Sequence, residues 1–133
     1  MSASEHISPY QYKLFMTAGE LMNVKAGDSP GMQSLTEASD LKERKLSESK
    51  RGTAEESFIH SKEGEETLYE SIKKEGVRNP VTLTVNKEWG QVGDPSIGRW
   101  APVGWNETLL NGHHRVVSAN DINPNTFVPV RYQ

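Results

Sequence analysis

The residues best suited to chemistry lie in one short run near the end of the chain, Asn111–Arg115, with the sequence NGHHR. An apolar strand-like segment precedes the run, and a short helical pattern begins within it. A helix N-terminus presents unpaired backbone N–H groups and partial positive charge, which together attract anions. Gly112 lets the backbone turn sharply and approach a ligand closely. The run therefore predicts a phosphate site at the start of a helix.

Two side chains of this run are the catalytic candidates. The planar fork of Arg115 can donate two parallel hydrogen bonds to a phosphate. His114 can donate a hydrogen bond or carry a proton to a leaving oxygen. Adjacent helical residues do not share a face, so we expect His113 and His114 to differ in role.

Spacing alone leaves other interpretations of the run open. Gly112 could be a plain turn before a solvated helix start. A zinc site is a weaker alternative, because adjacent histidines chelate one metal poorly and the chain offers neither cysteine nor H-x-x-x-H spacing. His6 and His60 are isolated in the sequence and suit surface positions better than metal ligation.

The elements that must position this run can be read from the pattern around it. Residues 65–75 form the strongest helix prediction, with glutamates in the first turn, lysines in the last, and Leu68 and Ile72 on one face. Gly76 suits the left-handed position that ends such a helix. Asn79 precedes Pro80, which favours an extended backbone at Asn79. These two residues lead into a strand rich in β-branched residues, Val81–Val85.

The remaining pattern predicts one small α+β domain. We expect a strand over 10–16, a capping box at Thr17 and Glu20, and a helix from Ser34 that continues as a solvated arm or lid to residue 51. Strands are also predicted at 108–110 and 127–132, and the proline of the last strand suggests a sheet edge or a first pairing position.

Residues 86–107 form the longest predicted connection, and they hold all three tryptophans. Long connections in compact domains are usually functional or disordered, and three aromatic residues argue against disorder. We expect an ordered flap or hairpin near the site. Its tryptophans could cap the core or bind a protein partner.

Composition excludes several functional classes. The 133 residues carry a net charge of -3, which argues against the broad basic surface of a nonspecific DNA-binding protein. The absence of cysteine excludes thiolate chemistry. No apolar run reaches the roughly 20 residues of a membrane span, and the N-terminus lacks a secretion-signal pattern. We expect no membrane association and a cytoplasmic location, in a host cell if a phage encodes the chain.

Three segments together resemble the ParB/sulfiredoxin superfamily, in its ParB-like nuclease branch. They read LYESIKKEGVRNPVTL at 68–83, LLNGHHRVVSA at 109–119 and VPVRY at 128–132, in the order of that superfamily. The resemblance covers about residues 65–133. It implies a small mixed sheet with packed helices in a single domain. Residues 65–133 would form its phosphate-binding core, and residues 1–64 an N-terminal strand and solvated helical arm of the same domain.

The resemblance also implies a set of binding residues. The turn at Asn111–Arg115 would hold the phosphates of a nucleotide or of DNA, with Gly112, His113, His114 and Arg115 lining the pocket. Ser71 on the earlier helix would lie near the nucleotide. Arg78 and Asn79 could reach the same pocket.

The activity implied is that of a nuclease or nucleotide phosphohydrolase using a nucleoside triphosphate with magnesium. His114 would be the acid or base, Arg115 would stabilise phosphoryl charge, and a second group would come from Glu20, Glu75 or Glu107. The alternatives are a non-catalytic phage or mobile-element module that binds a nucleotide, DNA or a host protein, and an ATP- or ADP-dependent small-molecule kinase.

Three departures from the superfamily narrow these expectations. His113 stands where sulfiredoxins carry their cysteine, so sulfinic acid reduction is excluded. Asn111 replaces a frequent acidic residue, which weakens the case for magnesium-dependent catalysis. No helix-turn-helix pattern follows the domain, so we do not expect a chromosome-partitioning clamp.

Overall fold

The computed structural model describes residues 13–52, 66–91 and 100–133, together with residues 93 and 98. These residues form a small α+β domain with a mixed five-stranded sheet and four α-helices, which confirms the predicted class. The strands are β1 (Phe15–Thr17), β2 (Lys25–Ala26), β3 (Val81–Gln91), β4 (Trp100–Asn111) and β5 (Phe127–Tyr132). The helices are α1 (Ala18–Leu21), α2 (Ser39–Arg51), α3 (Leu68–Glu75) and α4 (His113–Ile122).

The sheet order is β1-β5-β3-β4-β2. The pairs β1–β5 and β3–β4 are antiparallel, whereas β5–β3 and β4–β2 are parallel. The two short strands from the first part of the chain therefore form the two edges, around three strands from residues 81–132. The predicted N-terminal part, residues 1–64, and the predicted core, residues 65–133, therefore both contribute strands to one sheet.

The helices form a layer in which α4 is central, because α1, α2 and α3 all pack against it. The core lies between this layer and the sheet, and its largest fully buried apolar side chains are Leu21, Leu35, Val81, Leu83, Leu109, Val116, Val117 and Val128. No helix among the described residues is long and apolar enough to cross a bilayer.

Local capping explains where the first and third helices begin. The predicted capping box is confirmed, because the side chain of Thr17 accepts from the Glu20 N–H and the Glu20 carboxylate accepts from the Thr17 N–H, each at 3.1 Å. For α3 the predicted start at residue 65 is wrong. Thr67 accepts from the Glu70 N–H at 3.1 Å, so the helix begins at Leu68.

The long connection predicted at 86–107 is mostly strand. β3 and β4 pair from Thr82↔Asn111 out to Gln91↔Trp100, with two register shifts, so they form the hairpin that was one of the two expectations. The side chains of Trp89, Trp100 and Trp105 lie outside the described part. The protein-binding role of this segment therefore stays a prediction.

Of the two positions that the proline suggested for the last strand, a sheet edge or a first pairing position, the edge is wrong, because β5 lies between β1 and β3. Pro129 is tolerated there because pairing with β3 starts only at Val130, opposite Val81. On its other side Pro129 lies opposite Phe15 of β1. The missing N–H of the proline therefore interrupts no pairing with β3.

Gly112 makes the turn from β4 into α4. Its φ of 98° and ψ of 17° lie in the left-handed region that side chains disfavour. A Cβ atom placed there would lie 2.8 Å from Cβ of Val81 and 3.2 Å from its Cα, and it would also clash with Cγ1. Only glycine therefore lets α4 start so close to β3.

We expect Gly112→Ala to lower the free energy of unfolding by about 2–4 kcal/mol, combining left-handed strain with overpacking against Val81. Chemical denaturation followed by circular dichroism measures this change. Gly31→Ala is the matched control, because Gly31 has φ of 72° and ψ of 17° but open space around its Cβ position. The control should lose only about 1 kcal/mol. Equal losses in the two variants would contradict the close-packing explanation.

Candidate functional site

The predicted NGHHR turn lies where β4 ends and α4 begins. Asn111 is the exposed last residue of β4, in register with Thr82 of β3. The Val116 N–H donates to the Gly112 carbonyl at 3.0 Å and closes the first turn of α4. His113, His114 and Arg115 are therefore the first three helical residues, and their side chains point in different directions around the helix start.

His113 is buried, with 3% of its surface exposed. Its Nδ1 lies 3.4 Å from Oδ2 of Asp28, and the ammonium of Lys45 donates to the same oxygen at 2.9 Å. Its Nε2 is buried and has no hydrogen-bond partner among the described residues. Burial lowers the pKa of His113, and the nearby Asp28 charge only partly opposes this effect. The imidazole is therefore neutral at pH 7.

Asp28 keeps its charge in this cluster. Burial alone would raise the pKa of Asp28, but the hydrogen bond from Lys45 and the electrostatic influence of His113, Lys45 and His114 outweigh burial, and the pKa is lowered. The carboxylate thus holds Lys45 and faces His113.

His114 contacts α2 rather than open solvent. Its Nε2 lies 3.2 Å from Oε1 of Glu48, and its backbone carbonyl accepts from the Ser49 hydroxyl at 3.3 Å. Burial lowers the pKa of His114, as does the charge of Lys45, whereas the hydrogen bond to Glu48 acts in the opposite direction. His114 is therefore a neutral imidazole oriented by a carboxylate.

The charges on this side of α4 do not favour a phosphate. Two carboxylates, Asp28 and Glu48, face one ammonium, Lys45, around two neutral imidazoles. The single phosphate pocket predicted for Gly112–Arg115 is therefore divided, with His113 and His114 on the carboxylate side and Arg115 elsewhere.

Arg115 projects towards α3 and the segment that follows it. Its Nη1 donates to the Pro80 carbonyl at 3.0 Å, and its side chain lines a cleft of about 30 Å³. The cleft is also lined by Ser71, Arg78 and Asn79, three further residues predicted for the site. The other lining residues are Leu68, Ile72, Gly76 and Val77. Four of the eight predicted site residues therefore meet here.

A second guanidinium lies close to Arg115. Burial lowers the pKa of Arg115, and the positive charge of Arg131 lowers it further, although an arginine stays charged in proteins. Nε of Arg131 donates to Oγ1 of Thr82 at 2.9 Å. Among the described residues neither guanidinium has a carboxylate partner, whereas Arg78 pairs with Glu75 at 3.0 Å. The cleft side is therefore the cationic side of α4.

Sequence reasoning missed Arg131 as well as the carboxylates Asp28 and Glu48. Arg131 reaches the site only because β5 pairs with β3, and the strand order is not visible in the sequence. Asp28 lies between the elements predicted from the sequence, and Glu48 lies in the segment assigned to the solvated arm. The only available signal for Arg131 was its alternation with the apolar residues Val128 and Val130.

The three glutamates considered as second catalytic groups lie in different places. Glu20 caps α1 and pairs with Lys13 at 3.6 Å, so it serves the helix start. Glu75 pairs with Arg78 at the rim of the cleft. Glu107 is half-buried on β4. Glu75 therefore pairs with a residue that lines the cleft.

Within the described ranges no three histidine or acidic side chains converge in a way that could hold a metal ion. His6 and His60 lie outside these ranges. Comparisons of the chain with protein-family models, with curated proteins and with solved structures find no match.

The buried histidines predict that acid destabilises the fold. The folded-state pKa values of His113 and His114 lie below the ordinary 6.5, so the unfolded chain binds protons first as pH falls. Their contribution is complete above about pH 6.5 and is lost as pH falls towards the folded-state pKa values. The melting temperature should therefore decrease between about pH 7.5 and 5, above the range where carboxylates titrate.

The pH dependence of the wild-type protein is compared with that of the double variant His113→Gln, His114→Gln, which lacks both imidazoles. Its melting temperature should change less over the same pH range, even if the variant is less stable throughout. An equal pH dependence in the two proteins would contradict the assignment to these two side chains.

Proposed function

We propose that the chain binds a phosphate group of a nucleotide or of DNA in the cleft beside Arg115. The observation that carries this proposal is the partly buried Arg115 guanidinium, which has no carboxylate partner in the described part and lies near the charge of Arg131. Burying a cation without an anionic partner is unfavourable. A bound phosphate would supply the missing charge through the bidentate geometry that arginine favours.

The other lining groups suit the same ligand. Ser71 and Asn79 provide a hydroxyl and an amide that can donate to phosphate oxygens, and Arg78 adds positive charge at the rim. A cleft of about 30 Å³ has room for a small terminal group. The rest of a nucleotide or a DNA strand would lie outside it. Binding to a phosphate end or a backbone phosphate therefore suits the cleft better than enclosure of a whole nucleotide.

We infer that the chain is a ParB/sulfiredoxin-like domain. The segments that carry this resemblance are α3 with the start of β3, the turn from β4 into α4, and β5. In the fold α3 packs against α4, and β3 pairs with both β4 and β5. Their convergence around Arg115 supports the proposal, because segments far apart in sequence then contribute to one cleft.

Replacing Arg115 tests the binding proposal. We expect Arg115→Ala to weaken binding of ATP, CTP or a short DNA about ten- to a hundredfold, the effect of losing a charged hydrogen bond. Isothermal titration with and without magnesium measures the affinities. Arg44→Ala, which removes an exposed arginine from α2, is the matched control and should bind normally. Failure of the wild-type protein to bind any of these ligands would refute the proposal.

A second candidate function is phosphate-ester hydrolysis. It is favoured by His114, whose lowered pKa makes it a neutral base at pH 7 and whose Nε2 faces the Glu48 carboxylate. A base oriented by a carboxylate is a recurrent feature of hydrolytic sites. His114 and Arg115 lie on different sides of the first turn of α4, so this candidate requires a substrate that extends from the cleft across the helix start to His114.

If the protein hydrolyses phosphate esters, replacing His114 should reduce turnover without reducing ligand binding. His114→Ala should reduce phosphate release from ATP or cleavage of DNA by at least about a hundredfold, the usual contribution of a general base. Binding should remain nearly unchanged, because His114 does not line the cleft. Glu48→Gln should give an intermediate loss. Binding by the wild-type protein without any turnover would leave a non-catalytic phosphate-binding module.

A further inference from the structure

An exposed strip of side chains runs along one face of β5. Phe127, Pro129 and Arg131 alternate with the buried Val128 and Val130, so the first three point away from the core. Phe127 is 68% exposed. The strip therefore presents an aromatic ring, a proline ring and a guanidinium in one row.

The neighbouring strand β1 adds a second aromatic ring to this strip. Phe15 lies opposite Pro129 in the antiparallel pair, and it is 57% exposed. Residues directly opposite each other in a pair share a face of the sheet. The two phenylalanines therefore lie on one side of the sheet, on adjacent strands.

The cationic end of the strip lies close to Arg115, which lines the cleft already described. Arg131 lies opposite Thr82 of β3 and donates to its hydroxyl at 2.9 Å. Two residues earlier, the Pro80 carbonyl accepts from Arg115. Arg131 is thus held by Thr82 of β3 and Arg115 by Pro80, which directly precedes this strand, and each guanidinium donates to a neutral oxygen.

We propose that this strip, formed by Phe15, Phe127, Pro129 and Arg131, binds single-stranded DNA that continues into the Arg115 cleft. Bases would stack on the phenylalanine rings, and phosphates would lie on Arg131 and Arg115. The proposal rests on the phosphate-binding function, since the cleft would hold one backbone phosphate or the end of the strand.

The chemistry of the strip selects this ligand. Exposed aromatic rings beside arginines are the combination used by proteins that bind single strands, because every base offers a flat face for stacking. A duplex buries those faces in its own stack. The phenylalanine and proline part offers no hydrogen-bonding side chain for a 2′-hydroxyl, which favours DNA over RNA. The positive charge is local, as a chain with a net charge of -3 requires.

The experiment measures binding by fluorescence anisotropy with end-labelled oligo(dT), the matching duplex and oligo(rU). We expect the single-stranded DNA to bind at least tenfold more tightly than either of the others. Phe127→Ala and Phe15→Ala should each weaken its binding about tenfold, and Phe127→Trp should retain it. Met32→Ala is the matched control, because Met32 is exposed in the turn that follows the opposite edge strand, β2.

Salt dependence separates the two parts of the strip. Arg131→Ala should reduce the slope of log affinity against log salt by about one, whereas the phenylalanine variants should keep the slope. ATP affinity is measured for every variant in parallel. If the wild-type protein binds ATP but no single-stranded DNA, or if the phenylalanine variants bind DNA normally, the strip proposal is overturned while the cleft proposal stands. Loss of ATP binding in Arg115→Ala tests the cleft alone.

Discussion

The close approach of Gly112 to Val81 is the constraint on which the site depends. Because no Cβ intervenes, β4 can turn directly into α4 against the first residue of β3. That approach places the first turn of α4 beside the carbonyl of Pro80, which Arg115 reaches at 3.0 Å. A side chain at position 112 would move α4 away from β3 and separate Arg115 from its acceptor. One glycine thus connects the sheet, the central helix and the candidate cleft.

Once α4 starts there, helical geometry divides its first turn into two electrostatic sides. His113 and His114 face the loop after β2 and helix α2, where Asp28, Lys45 and Glu48 form a network of two carboxylates and one ammonium. Arg115 faces the other way, towards positive groups. The first turn of the helix therefore borders a carboxylate network on one side and an open cationic cleft on the other. This division explains why phosphate binding can be separated from acid–base chemistry in the same three-residue run.

Helix α2 shows how the polar network also serves the fold. Its sequence is strongly polar, and Leu41 is its only buried large apolar residue. The helix is nevertheless placed against α4 by Lys45, Glu48 and Ser49, which contact Asp28, His114 and the backbone of α4. Polar contacts of this kind are sensitive to protonation, whereas apolar packing is not. The pH dependence expected of this protein therefore follows from how α2 is attached.

Much of the local structure could be predicted from the sequence because its causes are local. The capping box of Thr17 and Glu20, the end of α3 at Gly76, and the glycine turn at Gly112 each depend on residues within one turn of the chain. The α+β class could also be predicted from the pattern of elements, and the resemblance already grouped Ser71, Arg78 and Asn79 with Arg115. Only the tertiary structure decided the strand order, which brings Arg131 beside Thr82, and the packing of α2, which turns His114 towards Glu48. These contacts join residues far apart in the chain, and neither periodicity nor spacing encodes which distant segments will pack together.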